Sequence, residues 1–158
     1  EWIKFGKPSL VGIATGAIAG LATITPGSGF VGPVGALIYG ILAGTICFYM
    51  IDVIKSKFRI DDSLDVFAVH GVGGMLGIIL TSFFAHESFG GLGLGEGVTI
   101  GAALSAQLIA TIVTVVWAAF ATYIIILVVR ATVGLRVDEE DESEGLDLSS
   151  HGERGYDL

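Results

Sequence analysis

The sequence predicts an all-α, polytopic membrane protein of four transmembrane helices, and three observations carry that prediction. The first is composition: 53% of residues are hydrophobic and only 15% charged, with a mean hydropathy of +0.80, whereas ordinary soluble domains carry about 25% charged residues. The second is placement: between Ser9 and Val129 the ionisable side chains are few and clustered, leaving long uncharged runs. The third is the sidedness of the basic residues, described below. A basic surface for nucleic acid is absent. The net charge of −8 belongs to the tail, because nine of the sixteen acids lie between Asp138 and Asp157.

A bilayer core takes about 20 apolar residues of helix. The spans fall at about 9–25, 33–55, 65–85 and 97–130, so residues 1–136 form a transmembrane domain and residues 137–158 an acidic tail. The first span ends at Thr25-Pro26-Gly27, and Pro33 is well suited to open the second. Asp61, Asp62 and Ser63 precede the third, and each has a side chain that can cap it. The fourth, at 1.5 Å per residue, is about 50 Å long, more than the hydrocarbon core needs, so it must tilt, bend or project.

Four spans put every basic residue on one side. Lys4 and Lys7 precede the first, Lys55, Lys57 and Arg59 follow the second, and Arg130, Arg136 and Arg154 follow the fourth. The loops at 27–32 and 86–96 hold no Lys or Arg. The positive-inside rule then predicts a cytoplasmic chain start, middle loop and C-terminus. The chain starts at Glu1 without an initiator Met or charged leader, so the first span is not read as a signal peptide and the sequence is expected to be a fragment.

Within the spans, Gly12, Gly16 and Gly20, and again Gly40 and Gly44, recur every four residues, a pattern that lets helices approach closely. The glycines from Gly90 to Gly97 read as a flexible outer loop. Trp2 reads as an interface anchor and the mid-span Trp117 as a packing residue. Cys47 lies in an apolar run as a small buried hydrophobe.

An ionisable group inside a span is a functional candidate by default. His70 sits about five residues into the third span among apolar and glycine neighbours. Burial there favours the neutral imidazole, which accepts one hydrogen bond and donates another and so can guide a small polar molecule or relay a proton. Its bland alternative is a histidine satisfied by its own helix. Asp65, five residues earlier and about 140° around the helix, reads as a structural acid offsetting the helix dipole in the first turn. Thr25-Pro26 either lines a vestibule or forms a buried turn. The histidines lack metal-ligand spacing and Gly71-Val72-Gly73-Gly74 sits inside a helix, so no enzyme, metal or cofactor is expected.

Three strings resemble the ammonium transporter family, whose cousins are the Rh proteins: Gly6-Lys7-Pro8-Ser9 running to Ile24-Thr25-Pro26; Asp61-Asp62-Ser63-Leu64-Asp65-Val66-Phe67-Ala68-Val69-His70-Gly71-Val72-Gly73-Gly74; and Gly134-Leu135-Arg136-Val137 with Gly145-Leu146-Asp147 and His151-Gly152-Glu153 to Tyr156. The resemblance covers essentially the whole chain. It implies the last four helices and cytoplasmic tail of an eleven-helix inverted-repeat ammonium channel, assembled as a homotrimer in the cell membrane. It further implies that His70 is one of two pore histidines, that Val66 lines the same pore, that Thr15 and Thr25 stand near the lower pore, and that Asp65 is the structural acid beside it. The substrate implied is ammonium or ammonia, with methylammonium as analogue. The mechanism the resemblance implies is loss of the proton before passage, in keeping with the high cost of a bare cation, but not of a neutral amine, in low dielectric. The partner histidine, outer recruitment site and phenylalanine gate would lie on upstream spans.

The run from Asp138 to Glu144 reads as solvated charge when taken alone. Gly145, Asp147, Ser149, His151, Gly152 and Glu153 resemble the family's regulatory tail, which implies coupling between protomers and contact with a PII-type signalling protein; Ser149 stands where plant relatives carry a phosphorylated residue. The alternatives on the same scaffold are an ammonium sensor, expected to carry a signalling domain after the tail, and an Rh-type gas channel.

Overall fold

The computed structural model describes residues 1–155 and is built of helices, with no strand among them. Tyr156, the last residue of the third resembling string, lies outside the described residues. In order come α1 (Trp2–Phe5), α2 (Leu10–Ile24), a 3₁₀ turn (Thr25–Gly27), α3 (Pro33–Asp52), a π-helical turn (Val53–Lys57), a second π-helical turn (Phe67–Val72) leading into α4 (Gly73–Phe84), a 3₁₀ turn (Glu87–Phe89), α5 (Ile100–Thr132), α6 (Glu139–Glu144) and α7 (Leu146–Ser149). Among the described residues four helical stretches are long and apolar enough to cross a membrane: Leu10–Gly27, Pro33–Lys57, Phe67–Phe84 and Ile100–Thr132.

Local chemistry sets the helix starts. Ser9 caps α2, its Oγ accepting from the Gly12 N–H at 2.9 Å, and Pro33 stands in the first turn of α3 behind Gly32, where a missing N–H costs nothing. At the third span Asp62 does the capping. Its two carboxylate oxygens accept from the N–H groups of Val66 at 2.8 Å and Phe67 at 2.9 Å. Asp65, expected in the helical first turn, instead takes a left-handed φ of 57° just before the helix. Its side chain turns away to Lys55, so the dipole-offsetting role passes to Asp62. The fourth helix begins at Ile100 rather than 97, because Gly95 and Gly97 hold φ of 94° and 72°.

The chain divides into two units, residues 1–113 and residues from 114 onward, the division falling inside α5. In the first, α2, α3 and α4 meet along a seam of mostly small side chains spaced by four. α2 gives Ala19, Thr23 and the following Gly27; α3 gives Gly35, Tyr39, Ala43 and Cys47; the α4 stretch gives Val69, Gly73 and Gly77. Without a hydrophobic drive between helices in lipid, such close backbone approach is what holds them. Tyr39, the one large member, is 0% exposed; its hydroxyl lies 2.9 Å from Thr81 Oγ1 and 3.2 Å from the Gly77 carbonyl.

The glycine repeats expected to pack do not form this seam. Around Gly16, Gly20, Gly40 and Gly44 nothing lies where a Cβ would stand, so within the chain those faces stay open. Trp117, expected to pack, is likewise 66% exposed and touches Phe120 along its own helix. The glycine loop from Gly90 to Gly97 is anchored: the Leu92 N–H donates to the Phe30 carbonyl at 3.0 Å and the Gly93 N–H to that of Ala85 at 2.8 Å.

In the second unit the acidic run folds as α6, its acids in the first turn where the helix dipole favours them. Gly145, at φ 101°, turns the chain into α7, and the Glu153 N–H closes back on the Asp147 carbonyl at 2.8 Å. Arg136 donates from its guanidinium to both oxygens of Glu142. These hydrogen bonds hold the Glu142 carboxyl below the usual carboxylate range. A depressed acid contributes stability above its unfolded pKa, about 4.3 for Glu, and loses it as pH falls through the lower folded value. A carboxyl-carbon NMR titration is therefore expected to place the Glu142 midpoint below that range, and Arg136→Gln to return it. An ordinary midpoint in the native protein would show the link absent in solution.

Candidate functional site

His70 lies on the π-helical turn that leads into α4, and Val66 stands four residues before it. Both side chains are exposed in this chain and line one open groove of about 410 Å³ with Phe67, Gly71, Ile60 and the acids Asp61 and Asp62. The groove wall is apolar at Val66, Phe67 and Ile60, with the imidazole its one nitrogenous group and two carboxylates at the loop end. The burial expected for His70 is therefore not supplied by this chain. Val69, its neighbour, is 3% exposed and packs with Ala19 and Cys47. The seam thus grips the turn from behind and leaves His70 presented to the open side.

The other predicted site residues fall elsewhere. Thr15 and Asp65 line a different groove, of about 650 Å³, with Gly16 of α2 and Gly44, Cys47 and Phe48 of α3. Asp65 is ion-paired there to Lys55 at 3.0 Å. His70 and Asp65 line separate grooves, not through a 140° rotation along one helix, since Asp65 stands before the helix at a left-handed φ of 57°. Thr25 joins neither groove. Its hydroxyl donates back to the Leu21 carbonyl at 2.7 Å, and the turn it opens packs by Gly27 against Tyr39 and by Pro26 against Gly77. Within this turn Thr25 is exposed, Pro26 half-buried and only Gly27 buried. Of the tail residues, Gly145 stands just before α7, Asp147 and Ser149 within it, and His151, Gly152 and Glu153 after it, with Ser149 Oγ donating to the Gly145 carbonyl at 3.3 Å.

Two residues passed unnoticed in the sequence. Thr23 is 0% exposed inside the seam, where a Cβ on Gly73 would come within 2.8 Å of its Oγ1. Gln107 is an uncharged amide within the fourth span; a search confined to ionisable groups overlooks it, although an amide at that depth also demands partners.

The model of the Ammonium Transporter Family matches residues 1–156. The chain belongs to that family. An ammonium transporter of Aquifex aeolicus is 44% identical over 160 residues, covering all of this chain and 37% of that protein. The Amt1 ammonium transporter of Archaeoglobus fulgidus is 44% identical over 157 residues, covering 98% and 39%. Among solved structures, a sensor Amt protein superposes with a TM-score of 0.82 at 29% identity, over 94% of this chain and 36% of that one. A Mep2 mutant, delta442, from Candida albicans superposes with a TM-score of 0.66 at 34% identity, over 85% and 35%. This ammonium transporter family chain thus spans less than two fifths of the length of these relatives.

Proposed function

We propose that this chain is the C-terminal part of an ammonium channel or transporter, supplying the last four helices of an eleven-helix inverted-repeat fold and one wall of its pore. The observation that carries the reading is His70, presented with Val66 on an apolar groove while the small-residue seam holds the turn behind it. The groove favours a neutral amine over a bare cation for the desolvation reason given above, and the imidazole offers the matching donor or acceptor. Upstream spans would complete the pore and bring the second histidine. Thr15 and Asp65 line a separate inner recess, with Asp65 in a structural role. The same reading places the protein in the cell membrane as a homotrimer, with a cytoplasmic C-terminus, because all basic loops lie on that side.

The test is methylammonium uptake by the full-length protein in a host without its own uptake. Accumulation supports the transporter. Ammonium binding without accumulation would turn the reading to a sensor, an alternative favoured by the superposition on the sensor Amt protein. For the tail we propose a regulatory role through contact between protomers or with a PII-type protein, α6 and α7 offering ordered helices for it. If Ser149 is a phosphorylation switch, Ser149→Asp alters uptake; unchanged uptake removes that role.

A further inference from the structure

The loop joining α3 to α4 departs from regular backbone geometry repeatedly within a short stretch. α3 ends in the π-helical turn Val53–Lys57, marked by the Phe58 N–H reaching the Val53 carbonyl at 2.9 Å. Arg59 and Asp65 both take left-handed φ, 55° and 57°, although neither is glycine. The second π-helical turn, Phe67–Val72, carries His70. Left-handed non-glycine residues persist only where their surroundings over-determine them, and π-turns within helices concentrate at functional sites.

At Asp65 the over-determination has a visible cause. Its carboxylate accepts from Lys55 Nζ at 3.0 Å, tying it to the π-turn that ends α3. Its carbonyl accepts from the Val69 N–H at 2.9 Å, one residue before His70. One residue therefore joins the end of α3 to the turn that presents the imidazole. Each residue of register turns an α-helix by about 100°, so a slip of one in this turn would swing the imidazole out of the place it holds beside Val66 and Phe67.

We propose that Lys55 and Asp65 form a positioning pair for His70: their contact fixes the left-handed turn at Asp65 and with it the register in which the π-helical turn starts. The proposal rests on the reading of the His70 groove as part of the permeation path. The pair is partly exposed, with side-chain exposures of 42% for Lys55 and 17% for Asp65. Exposed ion pairs add little to global stability, so its effect is expected locally rather than on the melting of the whole protein.

The experiment uses the full-length protein with Lys55→Met, Lys55→Arg, Asp65→Ala and Asp65→Asn, reading amide hydrogen exchange over residues 66–72 and methylammonium uptake. Lys55→Met and Asp65→Ala are each expected to speed exchange of those amides about tenfold, with unaltered global melting, and to lower uptake about fivefold. The double variant is expected to be no worse than the stronger single one, since the two share one contact. Lys55→Arg, which keeps the cation, and Asp65→Asn, which keeps an acceptor and tolerates left-handed φ, are expected to stay within about twofold of native uptake. Native exchange in both Lys55→Met and Asp65→Ala overturns the proposal. So does an effect confined to Asp65→Ala, because the turn would then need no partner. Faster exchange with native uptake would support the pair as positioning His70 while refuting the pore reading on which its functional importance rests.

Discussion

Replacing Gly77 by valine is expected to destabilise the first unit by about 3 kcal/mol, the upper part of the range for overpacking a filled interface. A Cβ at Gly77 would collide with the backbone carbonyl of Thr23 and stand 3.2 Å from Pro26 Cδ. Neither neighbour is the free end of a side chain, so relief requires α2 and its terminal turn to move off α4. That motion also parts the Tyr39 hydroxyl from the Gly77 carbonyl, which it approaches at 3.2 Å. Gly74, three residues earlier on the same helix, is the control. Nothing lies within 4 Å of a Cβ there, and alanine in a helix gains about 0.5–1 kcal/mol over glycine, so Gly74→Ala is expected to be neutral or mildly stabilising. Thermal unfolding of the full-length protein in detergent separates the two. A Gly77→Val protein that melts with the native one would mean that the seam is not packed as described.

His70→Ala is expected to lower methylammonium uptake at least about tenfold, or to leave a less selective, ion-conducting path. A hydrogen bond to a charged or polarising partner in a dry site is worth about 1.5–3 kcal/mol, and each 1.36 kcal/mol is about a factor of ten in rate. The substitution also widens the groove beside Val66, which is 51% exposed to it in this chain. The readout is labelled methylammonium accumulation together with membrane current under an ammonium gradient. Uptake and selectivity that both survive His70→Ala would reduce the imidazole to a structural role on its turn and sink the pore reading.

Much of this protein was legible in its sequence because the deciding physics is local. Apolar length gave the four helices, since a membrane demands about 20 such residues of each. Short carboxylates before the third span gave its cap, and Asp62 uses both oxygens for it. His70 stood out as an ionisable side chain in an apolar run. That His70 and Asp65 do not share a face was expected too, although the left-handed turn at Asp65, rather than rotation along one helix, separates them.

Tertiary structure decided the rest. Gly16, Gly44, Gly73 and Gly77 carry the same small-residue signal, yet only the last two sit in the seam, because helix crossing, not spacing, selects the face that meets a neighbour. The π-helical turns and the left-handed Asp65 run against local preference. Asp65 accepts from a lysine ten residues away in sequence, and the second turn is packed behind Val69; no local pattern encodes such partners. Thr15 and Thr25 both belong to the first span, but the fold turns Thr15 into a groove with Asp65 and leaves Thr25 exposed at the 3₁₀ turn that ends it. The sequence determined which residues enter the membrane and which could do chemistry there. Only the packing of three helices decided which of them face each other, because contacts between segments, rather than the preferences of any one, set the angle and depth at which helices meet.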